Sequence, residues 1–465
     1  MKYDTVIIGA GMSGLAAGIR LAHFGKKVCI CEQHYREGGL NSYFDRHNFR
    51  LETGLHAMTN FVHKGASNAM PLLKLLRQLR IPYDALKLRE QRTSEIVFPD
   101  HRLEFSNDFA VFRAAVDREF PSEIDAFDRF NQAISEYDIN QVVDTGRTAR
   151  EVMKTYFHAP ELCEMLLTPV MFYGSPSEED MEWYSFVVMY RSIFHEGFCR
   201  PAETGIRHLL TLLKERFLEA GGALLLNSKV KRIVCRGGRA IGVEAGETGQ
   251  LIEANNILSS AGSVETGQLC SDPPPAEQLP PAGTLAYFEA MIIPHPEFDF
   301  HSERTVIFFN RQRKLAYRDP QDLCDFNSCL ICFPHHFQFL PEDRKPEPML
   351  RISVLANHQF WHQQVKERYD VAKEQVFTRL LALAEEVTGA VGLKENMLFC
   401  DAFSPRTVSR FTGHINGAIY GSPIKLRNGR THLPNLFICG TDQGFLGITG
   451  AMMSGITIAN RYLMV

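Results

Sequence analysis

Asp4-Thr5-Val6-Ile7-Ile8-Gly9-Ala10-Gly11-Met12-Ser13-Gly14 is the stretch whose reading decides the fold. The β-branched run at 5–8 reads as a buried strand. A Gly-x-Gly-x-x-Gly turn follows, then a helical pattern over 15–22 that Gly25 stops. Lys27-Val28-Cys29-Ile30-Cys31 makes a second strand and ends at Glu32. Strand, glycine turn, helix, strand and acid, in that order, are the context in which the hexapeptide signals dinucleotide binding. Gly9 permits the turn, Gly11 lets backbone approach a pyrophosphate, and Gly14 lets helix pack closely on strand. The helix start at Met12 and Ser13 offers free N–H groups to the phosphates. Glu32 can accept hydrogen bonds from both ribose hydroxyls of an adenosine, and an acid there disfavours a 2′-phosphate.

Which dinucleotide is decided just downstream. Gln33-His34-Tyr35-Arg36-Glu37-Gly38-Gly39-Leu40 places a Gly-Gly doublet shortly after the ribose-binding acid. That doublet suits FAD, because its backbone can run along the pyrophosphate and ribityl chain, with Arg36 a candidate phosphate partner. Gln33, Gly38, Gly39 and Leu40 are expected along the cofactor. The tail of the chain repeats the theme. Leu436-Phe437-Ile438-Cys439-Gly440-Thr441-Asp442 reads as a strand ending in Gly-x-Asp, and a helix is expected from about Thr449 to Tyr462. Asp442 can serve ribityl hydroxyls or phosphates. Gly447, Ile448 and Thr449 at the helix start can favour negative charge on the flavin ring. Residues 257–262 form a short apolar strand whose small tail, Ala261-Gly262, is expected to approach the cofactor.

Composition narrows the class. The 465 residues are 45% hydrophobic and 22% charged, with a formal net charge of -4, the profile of a globular chain large enough for its own core. That balance gives no basis for a nucleic-acid partner. Eleven Cys without a recognisable secretory leader read as reduced thiols in a cytoplasmic protein. No window supplies 18 uncharged apolar residues for a membrane span. Residues 70–81 are amphipathic with a basic polar face, and this helix either covers a core or makes peripheral membrane contact.

The expected fold is α/β: a Rossmann-like FAD-binding domain of the glutathione-reductase type, built from discontinuous segments, with a mixed α+β substrate domain. Residues 1–64, 201–266 and 401–465 form the first, and 65–200 with 267–400 the second. Residues 65–200 read as a largely helical insertion. A helix over 206–220, strands over 223–226 and 229–234 and a hairpin at Arg236-Gly237-Gly238-Arg239 follow. Beyond a proline-rich linker at 267–283, apolar runs at 285–293, 305–309, 328–333 and 349–355 are expected to build a sheet.

The motifs together resemble the flavin-containing amine oxidase and phytoene desaturase superfamily. Leu51-Glu52-Thr53-Gly54-Leu55-His56 is similar to the acid-Thr-Gly-Ile-His segment of retinol saturases. Tyr173-Gly174-Ser175-Pro176, Thr412-Gly413, Ala418-Ile419-Tyr420-Gly421 and Gly440-x-Asp442 resemble the phytoene desaturase, carotenoid isomerase and retinol saturase branch. The resemblance implies an apolar tunnel and a carotenoid-, retinoid- or related isoprenoid substrate that is desaturated, saturated or isomerised. It also implies that Gly54, Leu55 and His56 lie at the cofactor and that Val230 meets the adenine through its backbone. His56 is the first candidate beside the flavin ring, to orient it or relay a proton, and Tyr420 the second.

Three competing readings stand beside this one. An amine oxidase would want an aromatic cage and commonly a Lys near the ring. A lipid-escort protein of the GDP-dissociation-inhibitor type would share the fold without needing Glu32 or Asp442. Cys324, Cys329 and Cys332 have iron–sulfur spacing, but positions three apart in a strand face opposite sides, so no metal is expected. No second Gly-x-Gly-x-x-Gly follows a strand. An external electron donor or acceptor, or transient NAD(P)H docking, is therefore expected.

Overall fold

The computed structural model describes residues 2–54, 56–63, 65, 67, 70–139 and 146–464. The opening strand, Tyr3–Ile8, lies inside a seven-stranded sheet. It runs parallel to Val28–Cys31 on one side, with Ile8 opposite Cys31, and to Gln250–Ser259 on the other, with Ile8 opposite Ser259. Ala223–Leu225 extends the first side, and Leu436–Ile438 pairs in parallel with the end of Gln250–Ser259. The antiparallel strands Val230–Arg236 and Arg239–Ala245 complete the sheet. Val6, Ile7, Cys29 and Ile30 are wholly buried, as strands covered on both faces require. The head, middle and tail of the sequence thus share one hydrogen-bonded ladder.

Two close approaches fix the helices on this sheet. The opening helix, Met12–Ala22, packs against the closing helix, Gly447–Ile458, and against Ile206–Glu219. A Cβ on Gly14 would lie 2.1 Å from the Gly9 carbonyl oxygen. A Cβ on Gly455 would lie 2.0 Å from that of Ser13. Backbone rather than side chain therefore makes both contacts.

The second seven-stranded sheet runs in the order Met397–Phe403, Ala286–Pro294, Leu350–Ala356, Ser328–Cys332, Val306–Asn310, Ser94–Val97, Arg102–Phe105. Every neighbouring pair is antiparallel except Ser94–Val97 with Val306–Asn310. One face carries Phe288, Ala290, Ile292, Ile331, Ile352 and Val354, packed on Val376, Leu380 and Leu383 of the helix Lys366–Thr388. The other face turns to a cavity between the two sheets. Cys329 belongs to the first face and Cys332 to the second, so the strand separates them.

Several expectations are refined here. Residues 65–200 contain the helices Phe109–Glu119, Ile124–Glu136, Pro160–Gly174 and Trp183–Tyr190, but also contribute the last two strands at one end of the second sheet. Those strands are only four residues each, too short for alternation to stand out in a helix-rich stretch. The strand at 257–262 is the end of a ten-residue strand, Gln250–Ser259, whose first half is largely exposed and sits in an antiparallel extension. The strand Met397–Phe403 and the helix Pro405–Thr412 were not anticipated. In Pro71–Leu79 the residues Leu72, Leu75, Leu76 and Leu79 are buried in the core of the first sheet's layer. Core packing, not a lipid surface, takes that apolar face. Among the described residues no helix is long and apolar enough to cross a membrane.

Gly455→Ala is expected to lower stability by about 1–3 kcal/mol, because overpacking must push two helix backbones apart. The check is the thermal unfolding midpoint, and an unchanged midpoint rejects the close crossing.

Candidate functional site

The first glycine turn starts the site. Gly9 has φ +96°, a conformation that L-residues rarely adopt, and a Cβ there would lie 2.4 Å from Ser260 Oγ. Glu32, at 6% exposure, is held by two backbone donors: Ala10 N–H donates to Oε2 at 2.7 Å and His34 N–H to Oε1 at 2.9 Å. Burial pushes its carboxyl up, opposed by those two N–H groups. Gly38 N–H donates to the Ala10 carbonyl at 2.9 Å, which brings the second glycine turn onto the first. A Cβ on Gly39 would come within 3.5 Å of Gly11 Cα. The two turns face each other as bare backbone.

From this pair of turns a cavity of about 980 Å³ extends to the second sheet. Its near end is lined by Gly9, Gly11, Met12, Ser13, Glu32, Gln33, Gly38, Gly39, Leu40, Val230, Ala261 and Gly440. Gly54, His56, Gly447 and Ile448 follow. Its far end is Phe172, Tyr173, Tyr287, Leu330, Ile419 and Tyr420.

The segment 51–56 reaches the cavity because its polar groups are committed behind it. Glu52 Oε1 accepts from the Ile206 N–H at 2.5 Å, and Oε2 from Arg200 Nη2 at 2.5 Å. Thr53 Oγ1 lies 3.0 Å from the Leu40 carbonyl and 3.1 Å from that of Ser42. His56 then meets the second sheet. Its Nε2 is 3.0 Å from Ser353 Oγ and 4.0 Å from Glu289 Oε2. Glu289 and Ser353 are directly opposite on paired strands, and Arg351, two residues before Ser353, donates from Nε to Glu289 Oε1 at 2.7 Å. Burial, and secondarily the Arg351 charge, holds His56 well below the usual histidine range, so it is neutral at physiological pH.

Other expected site residues sit elsewhere. Gly14 is a packing contact. Arg36 lies 3.5 Å from Asp45 and stacks over Tyr43, its guanidinium carbon 4.8 Å from the ring centre. Asp442 accepts from Ser263 N–H and Oγ at 2.6 Å each and from Ser422 N–H at 2.8 Å. Its carboxylate thus ties the start of the helix Ser263–Leu269 and the segment at Ser422 to the turn that follows the strand Leu436–Ile438. Gly262, with φ +104°, precedes the helix Ser263–Leu269. Thr449 is buried in the first turn of the closing helix, and its Oγ1 has no hydrogen-bond partner. Tyr420 lines the cavity, but its hydroxyl donates to the Phe172 carbonyl. Leu55 lies outside the described residues.

Sequence reading missed Glu289, Arg351, Ser353, Tyr173 and Tyr287 as site residues. A signal was present: Tyr287-Phe288-Glu289-Ala290 and Arg351-Ile352-Ser353-Val354 alternate polar or phenolic side chains with apolar ones inside strands otherwise rich in apolar residues.

Two facing backbone turns, an acid at the strand end and a helix start whose Gly447 and Ile448 line the cavity fit the phosphates, ribose and ring of FAD. Fold and site are those of an FAD-dependent oxidoreductase. The profile of the flavin containing amine oxidoreductase family matches residues 12–263, more than half of the chain, and the chain belongs to that family. It is 23% identical over 542 residues to all-trans-retinol 13,14-reductase of Danio rerio, covering 99% of this chain and 86% of that one. It is 22% identical over 520 residues to the chloroplastic prolycopene isomerase 2 of an Oncidium hybrid cultivar, covering 99% and 84%. Among solved structures, an oxidoreductase from Methanosarcina mazei shares the fold with a TM-score of 0.67 at 15% identity, covering 99% of this chain and 100% of that one.

The neutral, buried His56 has a consequence for stability. An unfolded histidine takes up a proton below about pH 6.5 while the folded one does not. The unfolded state then binds more protons, so stability is full above that pH and falls as pH drops through it. His195, lowered to about 4, and His335, lowered to about 3, act in the same sense. Urea midpoints at about pH 5.5 and pH 7.5 are expected to differ less for His56→Gln than for the parent chain. Identical pH dependence would mean that His56 is solvated.

Proposed function

We propose that the chain binds FAD along the near end of the cavity and acts on an apolar polyene or isoprenoid at the far end, by desaturation, saturation or isomerisation. The observation that carries this reading is the cavity itself: one continuous space joins a backbone phosphate cradle to an end walled by aromatic and aliphatic side chains. The retinoid and carotenoid names of the full-length relatives support the substrate class. The same reading assigns 1–64, 201–266 and 401–465 to the cofactor and 65–200 with 267–400 to the substrate. Its last boundary runs through the strand Met397–Phe403.

Residue roles follow from position. Gly9, Gly11, Met12 and Ser13 hold the pyrophosphate by backbone, Glu32 takes the ribose hydroxyls, and Lys229-Val230 meets the adenine. Gly38, Gly39 and Leu40 run beside the ribityl chain. Gly440 and the helix start at Gly447, Ile448 and Thr449 hold the ring end. Bound there, FAD supplies reversible two-electron oxidation and reduction. His56 holds or moves the accompanying proton. As a neutral imidazole it can accept one, and Glu289 Oε2 at 4.0 Å stabilises the cation that forms. Arg351 fixes Glu289 by pairing with its other oxygen. Tyr420, its hydroxyl committed to backbone, shapes the wall rather than moving protons. The aromatic end excludes water. An external electron donor or acceptor completes any net redox cycle.

The purified protein is expected to be yellow, with one FAD per chain. Glu32→Ala is expected to weaken FAD retention, since two ribose hydrogen bonds to a charged acceptor are lost, each about 1.5–3 kcal/mol. Equilibrium dialysis reads it, and equal affinity rejects the ribose assignment. Anaerobic incubation with retinoids and carotenoids, followed by chromatography and flavin absorbance, tests the substrate class. A colourless protein that takes up no FAD would end the reading.

A further inference from the structure

Glu265 is a carboxylate in the near end of the cavity that none of the roles above uses. It belongs to the helix Ser263–Leu269, which follows directly on the segment 259–262. That segment lies against the first glycine turn, since a Cβ on Gly9 would meet Ser260 Oγ at 2.4 Å. The carboxylate folds back over the same segment: a Cβ on Gly262 would lie 2.2 Å from Glu265 Oε2. Oε1 accepts from the Ile415 N–H at 2.8 Å and lies 3.9 Å from His414 Nδ1. Glu265 keeps 17% of its side-chain surface exposed and His414 keeps 13%, and both line the cavity, so a ligand there can reach them.

This is an unfavourable place for a bare carboxylate. The pyrophosphate of FAD is doubly charged at neutral pH, and a neighbouring like charge disfavours ionisation. Arg36, the expected counter-charge, is turned to Asp45 and Tyr43. Three Arg or Lys side chains line the cavity among the described residues. Arg46 pairs with Asp401 at 2.8 Å, Lys373 lies near Cys400 of the strand Met397–Phe403, and Lys229 belongs to the adenine end. Burial already raises the Glu265 carboxyl. The His414 charge and the Ile415 N–H oppose that rise, and Asp442, whose carboxylate bonds Ser263, adds to it. Lys425 Nζ, 4.0 Å from Asp442 Oδ1, is the next charge beyond. A dianion brought into this group makes a proton on the pair more favourable still.

We propose that Glu265 and His414 are the counter-charge of the FAD pyrophosphate and take up one proton from solvent as the cofactor binds. This rests on FAD lying along the near end of the cavity, and it adds the pair to the residues that bind it. No bond of the cofactor is made or broken; protein, FAD and one proton combine. With that proton in place the pair has no net charge. Once it is lost the pair is negative beside the pyrophosphate, so binding weakens as pH rises.

Equilibrium dialysis of the full chain against FAD reads the affinity. The dissociation constant is expected to rise about tenfold between roughly pH 6 and pH 8, the change that one coupled proton can produce. Titration calorimetry in two buffers of different ionisation enthalpy counts the proton without any variant. Glu265→Gln keeps an acceptor for the Ile415 N–H and removes the charge, and it is expected to bind FAD roughly tenfold more tightly than the parent chain at about pH 8. Glu265→Gln combined with His414→Gln is expected to lose the pH dependence. Affinity in the parent chain that does not vary with pH, with no proton taken up, overturns the proposal and leaves FAD binding standing. Equal or weaker binding by Glu265→Gln at the higher pH also overturns it, because the carboxylate then does not oppose the pyrophosphate. Undiminished pH dependence in the double variant overturns it as well, because another group then titrates. No FAD bound at any pH would overturn the proposal together with the cofactor placement.

Discussion

The buried carboxylate of Glu52 is the constraint from which the shape of the site follows. It is 8% exposed, and an ionised group in that position must be paired. One oxygen takes the Arg200 guanidinium and the other the first N–H of the helix Ile206–Glu219. Two regions far apart in sequence are tied at one point: the hairpin Tyr43–Arg46 with Phe49–Glu52, and the strand Cys199–Pro201 with the helix that follows it. Gly205 is required beside it, since a Cβ there would lie within 1.9 Å of Glu52 Oε1. Removing either partner would leave a bare charge in the interior, a change that typically costs several kcal/mol.

The residues after Glu52 inherit its position. Thr53 bonds the Leu40 and Ser42 carbonyls, and so the loop carrying Gly38 and Gly39 is fixed to the chain that carries His56. A second buried pair, Glu289 with Arg351, stands where His56 meets the sheet, and the nearby Glu52 also favours the Arg351 charge. The cofactor end and the reacting end of the cavity are thus joined by a run of alternating buried charges. A low-dielectric interior makes such a run stiff, because every displacement exposes an uncompensated charge.

The cavity lies between two sheets with opposite uses of their faces. The first is covered on both sides, so the carboxyl-terminal halves of its parallel strands are largely apolar and offer only their ends to a ligand. The second buries one face under the helix Lys366–Thr388 and gives the other to the cavity. This division explains why the phosphate end is built from backbone and small residues and the reacting end from side chains.

Local pattern was enough for the first half of that arrangement. A glycine turn between an apolar strand and a helix has few physical solutions, so Gly9, Gly11, Glu32, Gly38 and Gly39 were legible as residues. The roles expected of Arg36 and Asp442 were plausible by chemistry, yet in the fold Asp45 and Tyr43 take the first, and Ser263 and Ser422 the second. The donors to Asp442 lie 179 and 20 residues away, and even the partners of Arg36, 7 and 9 residues on, reach it only because the hairpin folds back. Likewise only the tertiary structure placed Glu289, Arg351 and Ser353 beside His56. Strand alternation says that a side chain faces one way, but not what lies there. The sequence by itself determined the nucleotide fold, because turn and strand chemistry are short-range. Tertiary structure alone decided the reacting end, because that end is an interface between two sheets whose register no local segment encodes.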